Sequence, residues 1–174
     1  MKRQLKKIVC LALITSMILG QKTLNTTKNV TAKEKKDIKI AIDAGHQARG
    51  NFATEPVGPG SSTRKAKVAG GATGVASHVP EYKLTLAVSK KLQKELKARG
   101  YKVYMIRTKN NVNISNKKRA QLANKSGADI YIRIHADSSN SRAVTGASGL
   151  YPSKANRYVS KLSAKSKKLS SCLL

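Results

Sequence analysis

Residues 38–46 read IKIAIDAGH, and this stretch decides the fold of the 174-residue chain. Isoleucine recurs at every second position through Ile42, which predicts a β-strand with one apolar face. The strand then runs into a small-residue turn that ends at His46. We therefore expect the folded domain to begin at Ile38, with an imidazole at the end of its first strand.

A long segment without a clear period follows this turn. Residues 47–79 are rich in Gly, Ser, Thr and Pro, and we expect them to form an irregular loop. A loop of this length inside a compact domain is more often functional than accidental. Arg64, Lys65 and Lys67 make it basic, so it either lines a substrate groove or forms a mobile surface loop.

A helical pattern begins at Pro80. Pro80 suits the first turn of a helix, Glu81 favours the positive end of the helix dipole, and Gly100 ends the helix. Apolar side chains at three- and four-residue spacing predict one apolar face, made of Leu84, Ala87, Val88, Leu92 and Leu96.

Two further strands are predicted downstream, at residues 101–107 (YKVYMIR) and 129–135 (DIYIRIH). Between them we expect a short helix over about residues 116–126, with Ser115 as its cap and Gly127 as its stop.

The C-terminal part of the sequence predicts a short strand near residues 147–151. A last helix is expected after the segment Tyr151-Pro152-Ser153. Its apolar face would contain Ala155, Tyr158, Val159 and Leu162.

This order of elements predicts an α/β fold with a mixed, largely parallel sheet flanked by helices, of the phosphorylase/hydrolase-like kind. Sites in such sheets form beyond the carboxyl ends of the strands. His46 and His135 both directly follow predicted strands. We therefore expect the two imidazoles to lie at the same edge of the sheet.

The N-terminal segment has the pattern of an export signal. Four positive charges precede the apolar run at residues 8–20, which is shorter than the ~20 residues of a membrane span. We interpret residues 1–20 as a signal peptide or N-terminal anchor, against the alternative of a buried core helix. Residues 21–37 are expected to be a polar linker, and residues 38–174 to be the domain.

The charge balance predicts an anionic partner. Lys and Arg number 35 against 8 Asp and Glu, a formal net charge of +27. Nucleic acid, a membrane surface and an anionic cell-wall polymer all qualify on charge alone. Export, a single Phe, no Trp and no nucleic-acid motif argue against nucleic acid, and membrane contact is expected only through the N-terminal segment.

The chain contains only three histidines, His46, His78 and His135. A catalytic zinc takes three protein ligands and keeps one open position for water. His46, His135 and Glu81 would meet that need, although both histidines could instead be solvated strand-end residues. His78 lies three residues before Glu81 and is interpreted as a loop residue rather than a ligand or a substrate contact.

Five collinear motifs resemble one family. Residues 40–46 (IAIDAGH) resemble the Asp-Pro/Ala-Gly-His strand end that opens the zinc-dependent N-acetylmuramoyl-L-alanine amidases of the Amidase_3 type. Glu81 with its amphipathic helix resembles that family's second ligand segment. Residues 101–108 resemble its second strand, residues 116–124 its Arg-x-x-x-Ala-Asn helix, and residues 132–137 its Ser-Ile-His-Ala-Asn/Asp motif.

The resemblance implies a Zn²⁺ ion bound by His46, Glu81 and His135. It implies an autolysin-type hydrolase, secreted to the cell wall, that cuts the peptidoglycan amide between the muramic-acid lactyl group and L-alanine. Asp43 would orient a ligand histidine, or would act only as a strand-end cap. Arg107 and Arg119 would hold acidic substrate groups or form surface ion pairs, and we favour the ion pairs.

The sequence also departs from the family, whose general base is a second glutamate on a strand near the C-terminus. No Asp or Glu occurs from Ser138 to Leu174. We therefore assign no catalytic base and expect a truncated chain that lacks the last strand and helix. The alternative function is a catalytically impaired, cationic cell-wall-binding protein with an amidase-like scaffold.

Overall fold

The computed structural model describes residues 33–141 and 143–174, so the predicted signal segment lies outside the described residues, as does most of the predicted linker. The strands are β1 (Lys39–Ala44), β2 (Asn51–Pro56), β3 (Arg64–Val68), β4 (Lys102–Met105) and β5 (Ile130–Ile134). The helices are α1 (Glu81–Ala98), α2 (Asn116–Lys125) and α3 (Ser163–Leu173). Single 3-10 turns occur at Lys35–Asp37 and Ser160–Leu162.

A three-stranded parallel sheet with the order β4-β1-β5 forms the centre of the fold. β1 lies in the middle and is almost wholly buried, as its apolar sequence requires. Ile42 of β1 pairs with Met105 of β4, and Ala44 pairs with Ile134 of β5. The predicted α/β class, with a parallel sheet flanked by helices, is confirmed.

The sheet presents its two faces to different helices. Ala41 of β1 packs with Ile106 and with Ala123 of α2 in one buried cluster. Because side chains alternate along a strand, Ile40 and Ile42 point to the opposite face. Helix α1 packs against β1, β4 and β5. The ends of β1 and β5 thereby come to lie beside the start of α1.

Helix α1 occurs where the sequence predicts it, but the predicted apolar face is wrong for Leu84, Ala87 and Val88, which are exposed. The buried side chains are Glu81, Thr85, Leu86 and Ser89, whereas Leu84 and Val88 are 45% and 42% exposed. Polar contacts decide this orientation, because the Thr85 hydroxyl donates to the carbonyl oxygen of Gly45 over 2.8 Å.

The prediction of an irregular segment over residues 47–79 is also wrong, because β2 and β3 form an antiparallel hairpin there. Nearly all hairpin side chains are exposed or half-buried, and only Glu55 and Val68 are buried. A hairpin with so little burial shows no alternating apolar pattern in its sequence.

The C-terminal part differs from the prediction in two respects. Residues 147–151 form no strand, and the last helix starts at Ser163 rather than after Ser153. Side-chain hydrogen bonds to the backbone replace helical hydrogen bonds here. The Ser153 side chain accepts from the amide of Ala155, and the Asn156 side chain accepts from the amide of Tyr158. The Tyr158 hydroxyl donates to the carbonyl of Pro59 over 2.5 Å, which ties this segment to the hairpin.

An exposed ion pair attaches the first described residues to the domain. The Lys33 ammonium lies 2.7 Å from the Asp129 carboxylate, and the Asp129 carboxylate also accepts from the Lys39 amide. These bonds lower the pKa of Asp129, the Lys33 contact most strongly. No helix within the described ranges is long and apolar enough to cross a membrane.

Candidate metal centre

His46 follows β1 and adopts a left-handed backbone conformation, with φ of +57°. Its Nδ1 lies 2.9 Å from the carbonyl oxygen of Ala69. A carbonyl can only accept a hydrogen bond, so Nδ1 carries the proton and the Nε2 lone pair is free. Nε2 lies 3.2 Å from the Oε2 atom of Glu81.

Glu81 is the first residue of α1, and its side chain is only 6% exposed. Oε1 accepts from the Ala136 amide and Oε2 from the Ala72 amide, each over 2.9 Å. Burial raises the pKa of Glu81, but these two backbone bonds and a bond with His135 outweigh it. The pKa is therefore lower than usual, and the carboxylate is held in its ionised form.

His135 follows β5 and is the most exposed member of the group, with a side chain that is 33% accessible. Nδ1 lies 2.9 Å from Glu81 Oε1, and Nε2 accepts from the Nε–H of Arg133 over 3.0 Å. Burial lowers the pKa of His135, and the charge of Arg133 adds to this, against the opposing effect of Glu81. The ring is therefore held neutral, as a metal ligand must be.

The structure brings all three residues together. One ligand atom from each of His46, Glu81 and His135 lies within 4.8 Å of the other two, and the two rings meet edge to face with centroids 4.7 Å apart. Two imidazole nitrogens and one carboxylate oxygen form a donor set that suits Zn²⁺. His78 is exposed on the preceding loop and is not a member of this group.

Two glycines make room for these side chains. A Cβ atom on Gly45 would lie 2.7 Å from Cε1 of His135. A Cβ atom on Gly71 would lie 2.9 Å from Cγ of His46 and 3.0 Å from Oε2 of Glu81, and Gly71 has φ of +86°. Only glycine fits at both positions without moving a member of the group.

A polar network surrounds the buried carboxylate of Asp43. The Asp43 side chain is fully buried, forms an ion pair with Arg119 and accepts from the Tyr131 hydroxyl over 2.7 Å. Burial, together with the charge of Asp43, raises the pKa of Tyr131, which therefore stays a donor. Asp43 also lies 3.5 Å from Nε of Arg133, the atom that donates to His135. Asp43 thus reaches the histidine through Arg133 rather than directly.

Arg107 and Arg119 are buried, so the expectation of surface ion pairs is wrong. Arg107 donates to the carbonyls of Ala44, Gly45 and Tyr82, all within 2.9 Å, and is 2% exposed. Burial, followed by the charge of Arg119, lowers the pKa of Arg107 to about 10, and it remains protonated at neutral pH. Arg119 is 0% exposed and pairs with Asp43. Both guanidinium groups organise the strand ends and are closed to a substrate.

Sequence reasoning missed the groups that hold the three side chains in place. Backbone atoms of Ala69, Ala72 and Ala136 contact the cluster, and a sequence gives no signal for such contacts. Arg133 could have been singled out from the sequence, because it occupies the position at which the family's Ser-Ile-His-Ala-Asn/Asp motif has serine.

The fold and the cluster define an α/β protein with a candidate metal centre beyond the carboxyl ends of its parallel strands. Residues 40–172 match the family described as N-acetylmuramoyl-L-alanine amidase (Amidase_3), and the chain belongs to that family. No curated protein sequence matches the chain significantly.

Solved structures of amidases have a similar fold. An N-acetylmuramoyl-L-alanine amidase from Clostridium difficile 630 is 30% identical, with a TM-score of 0.51 over 72% of this chain and 58% of that one. The catalytic domain of CwlV from Bacillus (Paenibacillus) polymyxa var. colistinus is 25% identical, with a TM-score of 0.52 over 72% and 59%.

Ami1 from Mycobacterium smegmatis, at 22% identity and a TM-score of 0.56, supports the fold alone and covers 62% of this chain. The chain spans 50–59% of the length of these three structures.

Proposed function

We propose that this protein is a zinc-dependent N-acetylmuramoyl-L-alanine amidase. It hydrolyses the peptidoglycan amide that joins the muramic-acid lactyl group to L-alanine. The observation that carries the proposal is the group formed by His46, Glu81 and His135, with ligand atoms within 4.8 Å, in a chain of the Amidase_3 family.

The three side chains have separate tasks in this proposal. His46 offers Nε2, because Nδ1 is committed to the Ala69 carbonyl. Glu81 offers a carboxylate that two backbone amides keep ionised and oriented. His135 completes the donor set from the exposed side, where a substrate amide can approach. When bound there, zinc supplies Lewis acidity, which polarises an amide carbonyl and lowers the pKa of water.

Arg133 brings a positive charge to the exposed side of the site. Its Nε–H donates to His135, while its Nη2 donates to the side chain of Asn116 over 2.6 Å. These two bonds hold the guanidinium beside the cluster. A neutral residue there would lose this local charge.

We further propose that the protein is exported and acts at the cell wall. The N-terminal pattern of residues 1–20 supports export, and peptidoglycan is the substrate that the family implies. Anionic wall polymers are proposed as additional partners, because the formal net charge is +27.

The second candidate function is that of a cationic wall-binding protein without hydrolytic activity. The specific observation in its favour is the lack of any Asp or Glu from Ser138 to Leu174, which leaves no assigned general base. A wall-binding protein of this kind would be retained on cell walls in a salt-sensitive manner and would release no new amino termini from peptidoglycan.

Titration of the metal-free chain with Zn²⁺, combined with a wall digest, tests both candidates. We expect one equivalent of zinc to bind. His46→Gln and Glu81→Gln should each weaken zinc binding by at least ~100-fold, since a lost ligand costs no less than a lost hydrogen-bond partner of a ligand. His78→Gln is the matched control, because His78 is an exposed histidine outside the group, and it should bind zinc like the unaltered chain.

In the digest, we expect new L-alanine N-termini and free lactyl carboxyls, both abolished by a chelator and restored by zinc. Zinc binding without new N-termini would reject the amidase and favour the wall-binding protein. Zinc binding unchanged in the His46→Gln variant would reject the proposed metal site itself.

A further inference from the structure

Arg133 lies directly against one of the three proposed metal ligands. Its Nε–H donates to Nε2 of His135 over 3.0 Å, and the other ring nitrogen, Nδ1, lies 2.9 Å from Oε1 of Glu81. A neutral imidazole has one nitrogen that donates and one that accepts. Because Nε2 accepts from Arg133, Nδ1 carries the proton and donates to Glu81. Both nitrogens of His135 are therefore engaged by groups of the protein.

The guanidinium of Arg133 cannot change its role in this contact. It offers only N–H donors, has no acceptor, and stays protonated in proteins. Serine, which stands at this position in the motif that residues 132–137 resemble, has a hydroxyl that can either donate or accept. This chain therefore places a donor-only group beside the histidine.

A metal ion on His135 would conflict with this donor at either ring nitrogen. If Nε2 binds the metal, its lone pair is no longer available to Arg133, and the guanidinium occupies the place of the ion. If Nδ1 binds the metal, the ring proton moves to Nε2, and two N–H donors face each other across 3.0 Å. Because a neutral imidazole that binds a metal has no second lone pair, neither arrangement keeps the Arg133 bond.

The charge of Arg133 acts in the same direction. Its side chain is 29% exposed and that of His135 is 33% exposed, so solvent screens the contact only in part. A divalent cation on the ring would be repelled by a guanidinium one hydrogen bond away. The carboxylate of Asp43 lies 3.5 Å from Nε of Arg133, but it is already paired with Arg119 and offsets only part of this repulsion.

Arg133 has other partners that would receive it if it left His135. Its Nη2 donates to the side-chain oxygen of Asn116 over 2.6 Å, and its Nε is within 3.5 Å of Oδ2 of Asp43. A turn of the guanidinium towards Asp43 would release the ring of His135 and leave the arginine with two polar partners. Metal binding at His135 is therefore open to this chain, at the cost of displacing Arg133.

We propose that Arg133 competes with a divalent cation for His135 and thereby weakens the metal affinity of this site. The proposal rests on the proposed function in one respect, namely that His46, Glu81 and His135 bind the metal. It goes beyond that function because it makes zinc loading depend on the release of Arg133. The occupancy of the site then changes with zinc concentration over a range in which a site with serine at this position is already filled.

Titration of the metal-free full chain with Zn²⁺ against a chromogenic chelator tests the proposal. We expect Arg133→Ser to bind zinc roughly 10–100-fold more tightly than the unaltered chain, the range over which hydrogen-bond partners of ligands change metal affinity. Arg133→Gln supplies an amide oxygen as an acceptor and should also bind zinc more tightly. Arg133→Lys keeps the charge and a donor-only head group, so it should bind zinc like the unaltered chain.

Arg99→Ser is the matched control, because Arg99 is an exposed arginine at the C-terminal end of α1, whereas Glu81 begins that helix. It removes the same charge and should leave zinc affinity unchanged. Nitrogen NMR spectra of the imidazole rings in the metal-free chain give a readout that does not involve zinc. We expect His135 to be neutral, with its proton on Nδ1. A proton on Nε2 would overturn the proposal, because Arg133 could not then donate to that nitrogen.

Equal zinc affinities in Arg133→Ser, Arg133→Gln and the unaltered chain would also overturn the proposal, and thermal unfolding of each variant checks that the fold is intact. Failure of the metal site itself has a different signature. In that case His46→Gln would leave zinc binding unchanged, both alone and combined with Arg133→Ser. If His46→Gln weakens zinc binding while Arg133→Ser has no effect, the metal site stands and only the competition by Arg133 is rejected.

Discussion

At the scale of single residues, the space around the His–Glu–His group is limited by Gly71. Gly71 has a positive φ of +86°, and a Cβ atom built on it would lie 2.9 Å from the His46 ring. A side chain there would meet two separate costs. One is backbone strain of about 1–2 kcal/mol, and the other is displacement of His46 and Glu81.

Gly71→Ala separates these two costs when it is compared with Gly100→Ala. Gly100 has a similar φ of +89° but nothing within 4 Å of its Cβ position. We expect both variants to lose about 1–2 kcal/mol of unfolding free energy in urea titrations. Only Gly71→Ala should also weaken zinc binding, by roughly 10–100-fold. Equal zinc affinities in the two variants would show that His46 and Glu81 do not depend on the space at Gly71.

The candidate ligands could be predicted from the sequence, but their orientation could not. His46, Glu81 and His135 occur in motifs with a resemblance to a family, and strand-end topology brings the two histidines to one edge. The protonation pattern of His46 depends on a carbonyl 23 residues away, at Ala69. Contacts with backbone atoms depend on the path of the chain, so the identity of the residues does not predict them.

At the scale of elements, the β2–β3 hairpin is attached to α2 by Glu55. This side chain is 5% exposed, and its Oε1 accepts from the amide of Lys117 in the first turn of the helix over 2.9 Å. The carboxylate therefore satisfies one of the free amides at the helix start and lies near the positive end of the helix dipole.

We expect Glu55→Ala to lower the free energy of unfolding by about 1–3 kcal/mol, because it leaves a helix amide without its partner. Glu55→Gln keeps an acceptor oxygen and loses only the charge, so it should cost less than about 1 kcal/mol. Urea denaturation of both variants measures the difference. Equal losses would indicate that the charge, and not the hydrogen bond to Lys117, attaches the hairpin.

Elements with a buried apolar face could be predicted, whereas elements held by polar contacts could not. β1, β4 and α2 follow their sequence patterns because they contribute to the cluster around Ala41, and β5 pairs with β1. The hairpin was missed because its anchor is the polar residue Glu55. The buried face of α1 was missed for the same reason, since Thr85 faces the sheet through a hydrogen bond.

At the scale of the whole molecule, negative charge is distributed unevenly. All eight carboxylates lie between Glu34 and Asp137, and none occurs in residues 138–174. The C-terminal segment therefore has no internal compensation for its lysines. Four of them lie on α3 and its preceding turn and are exposed, namely Lys161, Lys165, Lys167 and Lys168. On this surface an anionic polymer would meet exposed lysines in a segment that contains no Asp or Glu.

Replacement of these four lysines by glutamine tests how the net charge of +27 is used. We expect retention on purified cell walls to fall by about tenfold at low salt, and its dependence on salt concentration to become shallower, because fewer counterions are released on binding. Lysine-to-arginine replacement at the same four positions keeps the charge and should leave retention unchanged. Zinc affinity should be the same in all three proteins, because none of these positions belongs to the group formed by His46, Glu81 and His135. If the glutamine variant stays on the wall as tightly as the unaltered chain at every salt concentration, then wall binding does not depend on this charged surface.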